Sequence, residues 1–150
     1  MRTAIFCLFF AGCASPYAGS IALESGSLTA SGFVHHVPER PRDTPAAIGK
    51  LVASDGFEIE YAAFTYGHSF ADPSFVRAEG NSVIWTRTMG SGRTQRISTL
   101  YRDGYGHYTF CVSFPAAGPT NFLIHEPSDD QIARLQNILS TFVPIPRNET

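Results

Sequence analysis

From Phe57 onward the chain alternates hydrophobic and polar positions with a period of two. Phe57, Ile59, Tyr61 and Ala63 are separated by Glu58, Glu60 and Ala62, the pattern of a strand with one wet face. Three more runs rich in β-branched and aromatic residues follow, Val83–Thr88, Gln95–Tyr101 and Tyr108–Phe114. The links Met89–Arg93 and Asp103–Gly106 bear glycine and are short enough for hairpins, so the runs predict an antiparallel meander. Cys111 falls between Phe110 and Val112 and is therefore placed on the face opposite theirs. Its burial requires a cover on that face as well.

Near the end of the chain the period changes. Ser128-Asp129-Asp130-Gln131 has the form of a capping box with two carboxylates at the positive end of a helix dipole. Ile132, Leu135, Ile138, Leu139 and Phe142 then recur at spacings of three and four until Pro144, which predicts an amphipathic helix packed on the sheet as the cover that Cys111 requires. Upstream, Thr44-Pro45 followed by apolar residues at 48, 51 and 52 predicts a short helix over 44–53 ending near Asp55-Gly56, a reading that Gly49 weakens. Val37–Arg42 holds two prolines and is extended or turning. Residues 14–30, mostly Ala, Ser, Gly and Leu without a sustained period, read as a tether. The expected fold is α+β: an antiparallel β-meander sheet with a short N-terminal helix and a C-terminal amphipathic helix packed on it. It forms one domain over 31–150.

The start of the chain predicts an address. Met1-Arg2-Thr3, the apolar run Ala4–Phe10 and the small exit residues read as a signal peptide over 1–12, too short to span a bilayer. Phe10-Ala11-Gly12-Cys13 resembles the lipobox of bacterial envelope lipoproteins, with Phe in place of the usual large aliphatic residue. The resemblance implies acylation of Cys13 and cleavage before it. Ala14 after the cysteine implies anchoring in the outer membrane, with the domain in the periplasm. Ordinary secretion, with cleavage after Ser20-Ile21-Ala22, is the alternative.

Removing residues 1–12 leaves about 138 residues, with 10 basic against 13 acidic side chains, a net charge of about −3. That size suits one cored domain, and nothing in the charge pattern asks for nucleic acid. Cys7 leaves with the signal and Cys13 carries lipid, so Cys111 has no intrachain partner and is expected to be buried.

Asn121–His125, the acidic cap and the helix end Asn137–Phe142 resemble the closing strand and helix of PsbP-like envelope proteins. The likeness covers the last fifth of the chain and implies an α+β domain that binds partners.

Candidate chemistry is sparse. His68-Ser69 with Asp72 holds the residue types of a hydrolytic triad, but no Gly-x-Ser-x-Gly elbow is present and Tyr66–Pro73 reads as a turn. His35, His36, His68, His107 and His125 follow no metal-ligand spacing, and helix capping accounts for Asp129 and Asp130 near Glu126. Gly90-Ser91-Gly92-Arg93 precedes a strand, not the helix that a phosphate loop requires. No catalytic residue, metal or cofactor is therefore assigned. The triplet Tyr-Gly-His occurs at Tyr66–His68 and again at Tyr105–His107, and tyrosines on tight turns serve as interface anchors. Tyr66, His68, Arg102, Asp103, Tyr105, His107, Glu58 and Glu60 form the expected partner-binding surface.

These features look like those of lipid-anchored periplasmic inhibitors, including immunity proteins that block a toxin or hydrolase. The alternatives are an accessory lipoprotein of an envelope assembly or secretion machine, and a small hydrolase using Ser69 and His68.

Overall fold

The alternating runs become strands, because alternate side chains reach opposite faces and only one face needs to be apolar. In chain order the elements are β1 (Ser20–Leu23), β2 (Gly26–Thr29), β3 (Phe33–His36), β4 (Ala46–Ala53), β5 (Glu58–Phe64), α1 (Pro73–Ala78), β6 (Ser82–Met89), β7 (Arg96–Arg102), β8 (Tyr108–Phe114), β9 (Thr120–His125), α2 (Asp129–Leu139) and β10 (Val143–Pro144). The structure, a computed structural model, describes residues 20–23, 25–37, 46–64 and 67–145. The signal segment, Cys13, Pro38–Arg42 and Tyr66 lie outside the described residues.

Seven strands form one sheet in the order β3-β4-β5-β9-β8-β7-β6, and β1-β2-β10 form a smaller one. Every paired neighbour is antiparallel. The large sheet is two meanders joined where β5 pairs with β9, placing Tyr61 opposite Phe122. The domain is thus α+β with an antiparallel β-meander, as its periodicity predicts.

The main core lies on one face of the large sheet. There Leu51, Ile59, Tyr61, Phe110, Val112 and Phe122 pack under Leu135 and Leu139 of α2, Phe142, and Ile21, Leu23 and Leu28 of the small sheet. The Phe142 ring centroid is 4.5 Å from that of Phe114 and 5.8 Å from that of Phe122. α2 begins at the expected capping box. Gln131 N donates to Ser128 Oγ at 3.2 Å and Ser128 N donates to Gln131 Oε1 at 3.0 Å.

Three expectations are corrected. Residues 46–53 form β4, not a helix. Apolar residues at 48, 51 and 52 fit either period, but burial alternates, with 49, 51 and 53 buried and 48, 50 and 52 less so. A ladder to β5 runs along 46–52 and a second ladder, to β3, along 50–53. Gly49 is required there because its side of the strand is filled by the Tyr61 ring, whose Cε1 would lie 2.5 Å from an added Cβ.

The tether does not extend to residue 30. Residues 20–23 and 26–29 are strands, and Ile21, Leu23, Leu28 and Ala30 are buried. Their small neighbours conceal an alternation only four residues long in each strand.

Cys111 is fully buried, but α2 is not its cover. α2 lies on the face of Phe110 and Val112, whereas the face of Cys111 is closed by the segment from His68 through α1. That segment is held by polar bonds. Ala71 N donates to Ser113 Oγ at 2.9 Å, Thr99 Oγ1 donates to Ala71 O at 2.5 Å, and Phe70 N donates to Asn121 Oδ1 at 2.8 Å. Ser113, Thr99 and Asn121 are fully buried, so these bonds satisfy groups that would otherwise destabilise the fold.

Candidate functional site

The antiparallel register brings three connections to one end of the large sheet: the β4–β5 turn, the β7–β8 turn and the link from β9 to α2. Six of the expected surface residues, Glu58, Glu60, Arg102, Asp103, Tyr105 and His107, lie at this end.

The β7–β8 turn is built around one carboxylate. Asp103 Oδ1 accepts from Tyr105 N at 2.8 Å and His107 N at 2.9 Å, while Asp103 N donates to His107 O at 2.9 Å. Gly106 supplies the positive φ of 97° that the turn needs. The His107 amide, and next the Tyr105 amide, hold the Asp103 carboxyl below its ordinary pKa. Glu126 closes the other side. It adopts φ 46°, its N donates to Tyr108 O at 2.9 Å, and its Oε1 accepts from Tyr108 N at 3.0 Å. The same oxygen lies 3.1 Å from His107 Nδ1. Tyr105 rides on this braced backbone with 92% of its surface exposed.

A second group of bonds crosses the open half of the sheet. Lys50 Nζ is 2.7 Å from Glu58 Oε2 and 3.8 Å from Glu60 Oε1. His125 Nε2 is 3.4 Å from Glu60 Oε2, and His125 Nδ1 is 3.2 Å from Thr109 Oγ1. The bond to Glu58 raises the Lys50 pKa. Solvent screens exposed pairs like these, so they order the surface more than they stabilise the fold. Beside them, a concavity of about 700 Å³ is lined by His35, His36, Val37, Ile48, Gly49, Lys50 and Glu60. Ile48 is 48% exposed in it. His35 Nε2 lies 2.6 Å from Tyr61 Oη, and burial, followed by the charge of His36, lowers the His35 pKa.

The β4–β5 turn is pinned to α2 by Arg134, whose Nη1 is 2.6 Å from Asp55 Oδ2. The guanidinium also sits 5.0 Å from the Phe33 ring centroid and 4.9 Å from that of Phe57. The Phe57 amide, followed by Arg134, lowers the Asp55 pKa.

His68 belongs to the cover over Cys111. Its ring stacks on Phe75 at 5.1 Å, and Phe70 stacks on Phe75 at 5.6 Å. Asp72 caps α1 by accepting from Ser74 N at 2.7 Å and Phe75 N at 3.3 Å. Among the described residues no hydrogen bond joins His68 to Ser69 or Asp72, and no group of three or more metal-ligating side chains gathers.

Contacts therefore link Asp103, His107, Tyr108 and Glu126 at the tip, and Glu58, Glu60, Lys50, His125 and Thr109 on the sheet. The side chains of Arg102 and His68 bond to neither group. Sequence reasoning missed Lys50 because its strand was read as a helix, and missed the Glu126 clamp because its partners lie 18 and 19 residues away. Among the described residues no helix is long and apolar enough to cross a membrane. No family model, curated protein or solved structure matches this chain.

Proposed function

We propose that this chain is a periplasmic lipoprotein, anchored through Cys13 to the outer membrane, that binds and inhibits a protein partner as immunity proteins do. The reading is carried by Tyr105, an aromatic side chain 92% exposed on a turn whose backbone is already fixed. An interface gains from such a ring a large contact area at low cost in conformational entropy. The concavity beside Lys50 and Glu60 offers room for a partner's side chain next to bonded charges. Inhibition would follow from the tip entering an enzyme's cleft and excluding its substrate. A lipid tether would raise the inhibitor's local concentration where that enzyme works.

The test is affinity capture from an envelope extract with the full chain carrying Cys13→Ser, compared with Tyr105→Ala in the same background. A captured toxin or hydrolase whose activity falls on binding is the expected result. Tyr105→Ala should weaken that complex by about 30-fold, the scale of a 2 kcal/mol hot spot. Capture of assembly or secretion components would support the accessory role, and capture that ignores Tyr105 would remove the tip from the interface.

A further inference from the structure

The large sheet ends in an unusual edge. β6 spans Ser82–Met89 and pairs with β7 on one side, and among the described residues no strand lies on its other side. Outside that ladder its backbone makes no hydrogen bond to another backbone group among the described residues. Natural edges this long are normally shortened, buried or charged. β6 has a register shift between Val83 and Trp85, near one end only, and leaves Ile84 50% exposed.

Charge segregates to the same place. Between Ser82 and Arg102 lie Arg87, Arg93, Arg96 and Arg102, four of the chain's 11 basic residues, and none of its 13 acidic ones. Arg87, Arg93 and Arg102 are exposed. Among the described residues the ion pairs involve Lys50, His107, His125 and Arg134, not these four. Arg96 stands opposite Met89 at the end of β6, and its Nε is buried without a hydrogen-bond partner.

We infer that the β6 edge is a strand-addition site for an extended acidic segment of another protein. Main-chain bonds to the open edge would hold the segment, and its carboxylates would meet the arginines that form no ion pair among the described residues. The charge also argues against a second copy as occupant, because β6–β6 pairing brings two such arginine sets together without a compensating acid. Arg87 alone fits the role of a guard against aggregation. That role does not account for Arg96, whose buried Nε needs an acceptor. This inference does not rest on the inhibitor reading: Arg102, opposite Ser82, lies at the tip end of the sheet, but Arg87 and Arg96 lie towards the other end of β6.

The probes are two capped nine-residue peptides, one alternating valine and glutamate, the other valine and lysine, added to the full chain carrying Cys13→Ser. Hydrogen exchange of residues 82–89 and the fluorescence of Trp85, the chain's single tryptophan, report binding. The acidic peptide should slow exchange in β6 and shift Trp85 emission saturably, and the lysine peptide should do neither. Arg87→Glu/Arg96→Glu should weaken the acidic peptide at least tenfold and favour the lysine peptide, with unchanged circular dichroism showing that the fold persists. Equal effects of the two peptides, no protection at millimolar concentration, or protection confined to another strand would overturn the inference. Protection of β6 that rises with protein concentration alone would overturn it in favour of self-pairing.

Discussion

Replacing Gly49 by alanine tests the structure where sequence and fold disagree most sharply. In a helix over 44–53 this change would stabilise the protein by roughly 0.5–1 kcal/mol, because alanine is the better helix former. In β4 the sign reverses. The added methyl would overlap Oη and Cζ of Tyr61 and lie 2.5 Å from its Cε1. The ring has little room to retreat, since Tyr61 is 4% exposed, lies 6.3 Å from the Phe122 ring and is bonded to His35 at 2.6 Å. Overpacking at such a site costs about 1–3 kcal/mol. A protein of this length loses roughly 2–4 °C of melting temperature per kcal/mol. Urea denaturation followed by Trp85 fluorescence measures the difference, and Tyr61→Leu provides the control. The penalty should shrink in the Tyr61→Leu background, giving a coupling energy of at least 0.5 kcal/mol, the scale expected of residues in contact. A Gly49→Ala protein as stable as the parent, or more so, would refute the packing described here.

Three further outcomes follow. Leu28→Ala should cost about 2–5 kcal/mol in the same urea assay, because Leu28 is 1% exposed in the core, whereas a tether position would change stability by less than about 0.5 kcal/mol. With Cys7→Ser and Cys13→Ser, Cys111 is the lone thiol; burial pushes its pKa up to about 12, so disulfide reagents at pH 8 should label it only as fast as the protein unfolds. Since the Asp103 pKa is lowered on folding, its contribution to the tip is present above the ordinary aspartate value of about 3.9 and is lost as pH falls through the lower folded value. The Tyr105 and His107 amide resonances should shift together in that acidic range, and Asp103→Asn should abolish the shared transition.

The central meander and the last helix were legible because each repeats its signal over many residues: β5, β7 and β8 run seven residues each and α2 opens on a capping box. β4 was not, since Thr44-Pro45 imitates a helix start and Ile48, Leu51 and Val52 suit both periods. β1 and β2 are four residues long and partly made of glycine and serine, so their pairing with each other and that of β2 with distant β10 define them more than local propensity does. α1 is six residues long, too short to show a helical period, and begins at Pro73, the last residue of the stretch that reads as a turn. At the site, the Tyr105 turn could be read from its glycines and Asp103, whereas the Lys50–Glu58–Glu60–His125 group depends on which strands become neighbours. That information lies in the topology, chiefly the β5–β9 pairing, and not in any short stretch of chain.

The small sheet also sets an order of events. β2 pairs with β1 nearby and with β10, opposing Gly26 to Pro144, while Phe142 completes the aromatic core. A nascent chain therefore cannot complete the pairing of β2 until residues 143 and 144 have been made. Closure over so long a separation is slow compared with hairpin formation. Such a delay keeps the polypeptide threadable, which is the condition that the proposed export across a membrane requires.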